Sequence, residues 1–119
     1  MKTKISETIR QWIPMSQTWM NELPEGDDSI LQYVLLKRTA QCCSEMLNSE
    51  SETDVELAQN IIKVINLLYS SGNHYIRNAI ENEFFSELIA KETPAGLKKH
   101  LEYFSKESRE GYIKTILEN

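Results

Sequence analysis

The chain has 119 residues, 40% hydrophobic and 26% charged, which excludes a disordered chain and fits one folded domain over residues 1–119. A chain of this length buries roughly two-thirds of its unfolded surface, enough for a core without disulfide or metal staples. Its net charge of −5 disfavours nucleic acid as a direct ligand, because phosphate neutralisation dominates such binding.

The charge is uneven. Residues 1–10 carry +2, residues 11–62 carry nine acids against Lys37 and Arg38, and residues 63–119 balance eight acids with eight bases. An acidic half of this kind suits a basic protein partner. Three prolines and four glycines leave room for long helices. No apolar run approaches the ~20 residues of a membrane span. The opening MKTKISETIR has no continuous apolar stretch behind its basic residues, so no secretory signal is expected and a cytoplasmic location is. Cys42 and Cys43 are adjacent, a spacing that rarely allows a bridge, and they read as two reduced thiols. On a helix they point about 100° apart, one inward and one toward the surface.

In chain order, Ile5, Ile9, Trp12 and Ile13 keep the 3.6-residue period of a first helix. Pro14 ends or kinks it. Met15, Trp19, Met20 and Leu23 continue a helical run that Pro24-Glu25-Gly26 stops, so residues 4–22 form either one kinked helix or two. Trp12 and Trp19 read as core anchors, with an exposed aromatic anchor for a partner as the alternative. Asp27-Asp28-Ser29 opens the next helix, which Ile30, Leu31, Val34, Leu35, Cys42, Met46 and Leu47 carry to about Asn48.

Thr53 with Glu56 fits a capping box for a helix lined by Val55, Ala58, Ile61, Ile62, Val64, Ile65, Leu68 and Tyr69. Gly72 reads as a left-handed C-cap, and Asn73 caps the following helix. That helix turns Tyr75, Ile76, Ala79, Ile80, Phe84 and Leu88 inward, with Phe85 and Ile89 widening the face. Thr93-Pro94 starts a helix with Leu97, Leu101 and Phe104, and Tyr112, Ile113, Ile116 and Leu117 carry a last one, with a break expected at Gly111. Short connections force antiparallel neighbours. The expectation is an all-α, compact antiparallel array of five to seven helices. Helix pairs of this size suit a HEAT-like stack, although the sequence shows no internal repeat.

Catalytic and metal-binding patterns are weak. His74 and His100 lie in no HExxH or paired-cysteine spacing and read as solvated residues. Asn78, Glu81, Asn82, Glu83 and Glu87 read as a solvated helix face; the two asparagines are unusual there, because asparagine is a poor helix former. No enzyme, cofactor or metal is expected. The strongest interaction candidates are the acidic loops, Glu25, Asp27 and Asp28 in one and Glu50, Glu52, Asp54 and Glu56 in the other.

The segment LLYSSGNHYIRNAIENEFFSELI resembles small all-helical bacterial immunity proteins of the contact-dependent growth inhibition and polymorphic-toxin kind. The resemblance rests on Gly72-Asn73, Asn78-Ala79-Ile80, Phe84-Phe85 and Leu88 and covers about a fifth of the chain. It implies a non-catalytic inhibitor that binds one cognate protein toxin, a basic nuclease or more narrowly a ribonuclease, and blocks its active site. A helical adaptor or homo-oligomeric scaffold that uses Trp12 and Trp19 is the alternative.

Overall fold

Isoleucines at every fourth position, Ile5, Ile9 and Ile13, carry the first helix into the core, where all three are buried. The computed structural model describes residues 4–18, 28–92 and 94–118. Among these residues the fold is all-α: α1 (Lys4–Trp12), α2 (Asp28–Leu47), α3 (Glu52–Ser71), α4 (His74–Ala79), a π-helical segment (Ile80–Phe85), α5 (Ser86–Lys91), α6 (Pro94–Tyr103) and α7 (Lys106–Glu118). No described helix is long and apolar enough to cross a membrane.

Pro14 ends α1 rather than bending it. The chain turns, with the Ser16 N–H donating to the Ile13 carbonyl at 2.9 Å and the Ser16 hydroxyl to that of Ile9 at 3.2 Å. Trp12 is not a core anchor. It ends α1 at the edge of the apolar stripe and is 63% exposed, because Ile13, one residue on, takes the inward place. Trp19, Met20 and Leu23 lie outside the described residues, and with them the rest of the expected second run.

On α2 the buried stripe is Leu35, Leu36, Ala40, Cys43 and Leu47. Val34, expected inside, faces out, and Cys42 is half-buried beside the buried Cys43. Antiparallel to α2 runs α3, which buries Ala58, Ile61, Ile62, Val64, Ile65, Leu68 and Tyr69. Its cap is Ser51 rather than the expected Thr53. The Ser51 hydroxyl accepts from the Asp54 N–H, and the Asp54 carboxylate accepts from Ser49 at 2.8 Å. The helix therefore begins at Glu52, two residues before the Asp54 start that a Thr53 cap would give.

Gly72 is not left-handed. Its φ of −79° and ψ of 155° are extended, and the reason for glycine is space: a Cβ there would lie 2.5 Å from the Leu68 carbonyl oxygen and 2.7 Å from Ile76 Cγ2. Asn73 caps α4 as expected, accepting from the Ile76 N–H at 3.0 Å. Arg77 folds back over the end of α3 and donates from Nε to the Tyr69 carbonyl at 2.9 Å and from a terminal nitrogen to the Ser70 carbonyl at 3.3 Å. Carbonyls that a helix end leaves orphaned are thus satisfied by the next helix.

Residues 74–91 form one helical rod with a π-turn in its middle. The Ser86 N–H reaches the Glu81 carbonyl, five residues back, and the Ser86 hydroxyl donates to the same oxygen at 3.0 Å. The wider turn lets two successive phenylalanines, Phe84 and Phe85, be fully buried. Phe85 is the aromatic hub: Tyr69, Phe104 and Tyr112 lie 5.4–5.5 Å from it between ring centroids, and Phe84 at 6.1 Å. Burying a ring of this size contributes about 1.5–3 kcal/mol.

Gly111 does not break the last helix but lies inside α7. A Cβ there would meet the Tyr69 hydroxyl at 2.1 Å and Cζ at 2.5 Å. Ile113 and Leu117, expected inside, are exposed, while Tyr112 is buried. In an open helix Gly111→Ala would stabilise by about 1 kcal/mol. Here the clash reverses the sign, and we expect Gly111→Ala to cost about 2–4 kcal/mol by overpacking, read as a lower urea midpoint at unchanged slope. A midpoint equal to or above that of the unaltered chain would remove the close approach as the reason for this glycine.

Candidate functional site

Of the seven acidic residues singled out from the sequence, the structure brings together the four of the α2–α3 turn. Glu50, Glu52 and Glu56 are exposed, and Asp54 is half-buried and held by Ser49. Ser49 also accepts from the Ser51 N–H at 3.1 Å, so the turn is pinned by its own serines. Asp28 opens α2, 20 residues long and hence about 30 Å, at the end remote from this turn. Asp28 is therefore remote from the α2–α3 turn, and Glu25 and Asp27 lie outside the described residues.

Below the turn sits a buried polar network that sequence reasoning missed. Glu92 Oε1 accepts from the Ser44 hydroxyl at 2.7 Å and from Asn48 Nδ2 at 2.9 Å, and it faces His100 Nε2 at 3.5 Å. His100 Nδ1 lies 3.1 Å from the Tyr112 hydroxyl. His100 is not solvated: it is 1% exposed, with Glu92 facing one ring nitrogen and Tyr112 the other. Burial pushes the Tyr112 hydroxyl well above its ordinary range, with Glu92 and Cys43 adding to the effect, so it stays a donor. The Glu92 carboxylate can only accept, so the imidazole proton lies on Nε2 toward it, and Nδ1 accepts from the Tyr112 hydroxyl. Burial lowers the His100 pKa, against the opposing pull of Glu92 and with a further lowering by Lys99. The local sequence gives no sign of this network, since its contacts join residues 8 to 48 positions apart.

A second polar cluster sits where the π-turn meets α3 and α7. Glu81, expected on a solvated face, is buried. Its Oε2 accepts from the Tyr69 hydroxyl at 2.6 Å and its Oε1 from Lys114 Nζ at 3.2 Å. Burial and the bond to Glu81 raise the Tyr69 pKa far above its ordinary value and keep it a donor. Lys114 is 55% exposed, so its ion pair contributes at most about 1 kcal/mol. The buried tyrosine–carboxylate bond contributes about 1.5–3 kcal/mol. Tyr69, not Lys114, holds Glu81 in place. His74 is exposed, as expected. Among the described residues no three His, Cys, Asp or Glu side chains are grouped to hold a metal ion.

A family model described as Domain of unknown function (DUF7674) matches residues 6–118. The chain belongs to that family. No curated protein and no solved structure matches it. For this member of DUF7674, geometry therefore carries the functional reading.

The buried histidine sets a pH dependence. An unfolded chain protonates His100 near pH 6.5, and the folded chain does so only at lower pH. In that window the unfolded state binds more protons, so stability falls as pH drops below about 6.5 and His100 adds no slope above it. Thermal melts across this range should show the loss in the native sequence and a flatter dependence in His100→Gln. An equal slope in the two proteins would remove His100 as its source.

Proposed function

We propose that this chain is a non-catalytic inhibitor of the immunity type, which binds one cognate toxin domain, a basic nuclease and more narrowly a ribonuclease, and blocks its active site. The observation that carries this reading is the α2–α3 turn. No Lys or Arg lies between Arg38 and Lys63, and within that stretch Glu45, Glu50, Glu52 and Glu56 are all exposed. The serine-pinned turn presents these charges with little ordering left to do on binding, which favours tight and fast association with a basic face. The test is binding to the toxin domain encoded beside this chain, measured at several salt concentrations. Reversing Glu50, Glu52 and Glu56 to Lys should weaken binding on the order of 100-fold and remove most of its salt dependence. Asp54 is left intact because the turn needs it. Affinity that survives the triple reversal would end the electrostatic reading.

A second reading, a helical adaptor or homo-oligomer without catalysis, draws on the exposure of Trp12. Sedimentation equilibrium separates the two. A dimer that Trp12→Ser dissociates favours self-association, and a monomer at all concentrations disposes of it.

A further inference from the structure

Between α4 and α7 a cleft of about 290 Å³ opens over the π-turn, walled by Arg77 and Asn78 on one side and by Glu107, Glu110 and Lys114 on the other, with Glu81 at its floor. We propose that this cleft receives an arginine side chain from a partner protein. The proposal stands apart from the toxin reading, since the cleft shares no residue with the acidic turn.

The chemistry follows from which groups are already engaged. Both oxygens of Glu81 are taken, one by Tyr69 and one by Lys114. Arg77 spends its guanidinium on the carbonyls that end α3 and on the face of the Tyr69 ring, 5.3 Å away. Lys114 is thus paired while Arg77 keeps its charge; the cleft sets three carboxylates, Glu81, Glu107 and Glu110, against these two cations and stays net negative. The uncommitted groups are Glu107 and Glu110, whose carboxylates have no cation within 4.0 Å among the described residues, and the half-buried amide of Asn78. Lys114, four residues after Glu110, would ordinarily pair with it along the helix. It turns to Glu81 instead and leaves the Glu110 carboxylate open.

What remains open is thus two carboxylates one helical turn apart and a carboxamide facing them across the cleft. A guanidinium fits that set: a planar fork of donors can engage two carboxylates and one amide oxygen together, whereas an ammonium meets them as a point charge. The volume lies at the small end of ligand clefts, which suits one long side chain rather than a cofactor. Two costs converge here. Asparagine inside a helix and a π-turn are each unfavourable in themselves, and π-turns concentrate at functional sites.

The probe is the peptide acetyl-Gly-Arg-Gly-amide, titrated into the full chain while the Asn78 side-chain amide and the Gly111 backbone amide are followed by NMR. A saturable shift with a Kd of about 1–10 mM is expected, as a few charge-assisted contacts give. The isosteric neutral citrulline peptide should bind at least about tenfold more weakly, as should the arginine peptide to Glu107→Gln/Glu110→Gln. Both positions are exposed, so the variant should keep the native spectrum elsewhere. Glu50→Gln/Glu52→Gln should bind the peptide as the unaltered chain does. The proposal is overturned by the absence of a saturable shift up to about 100 mM peptide, or by citrulline or lysine peptides binding as tightly. It is equally overturned if binding is lost through Glu50 and Glu52 instead of Glu107 and Glu110.

Discussion

The extra residue in the turn between Ile80 and Phe85 is the constraint on which the rest of the molecule depends. In a regular α-helix, neighbours such as Phe84 and Phe85 diverge by about 100°, so a helix covered on one side buries only one of them well. The π-turn, covered by α2 on one side and α7 on the other, buries both. Phe85 then gathers Tyr69, Phe104 and Tyr112 into one aromatic cluster, and Glu81 comes inward to meet the Tyr69 hydroxyl. Gly111 is a consequence of the same geometry. Once Tyr69 reaches across to Glu81, its ring occupies the place where a side chain of α7 would begin.

The two ends of α2 play different parts. At its C-terminal end Ser44 and Asn48 reach into the buried network around Glu92, so the backbone that leads into the acidic turn is fixed from inside. At its N-terminal half the buried amide of Gln32 donates to the Tyr75 hydroxyl, which also accepts from Tyr33 at 3.1 Å. The α2–α3 turn is thus a rigid display of charge, and the α4–α7 cleft is a concave surface built on the π-turn. They are different kinds of surface on different parts of the chain.

Local patterning made the helices legible. Isoleucine spacing in α1, the wide apolar stripe of α3 and the Asn73 cap all follow from residues within one or two turns of each other, and the all-α class follows with them. The misreadings share a cause. Glu81 and His100 are polar residues on faces that look solvated in sequence, and they are buried only because Tyr69, Glu92 and Tyr112 arrive from other segments. Gly111 resembles a helix breaker until the Tyr69 ring is placed against it. Ser51 outranks Thr53 as a cap because Ser49 and Asp54 close around it. The acidic residues were legible as charge. That Asp28 and the acids at 50–56 lie toward opposite ends of one helix follows only once α2 is known to be unbroken.

The manner in which α6 is held has a consequence for how the molecule opens. Leu101 of α6 is only partly buried against the core, and the wholly enclosed side chain described on this helix is His100, secured by polar bonds. Directional bonds give way together once one is broken, whereas apolar contacts weaken gradually with distance. Helix α6 should therefore behave as a hinged flap, opening as a cooperative unit at lower free energy than the α2–α3 pair. Its amides would exchange with solvent while the aromatic centre around Phe85 stayed closed.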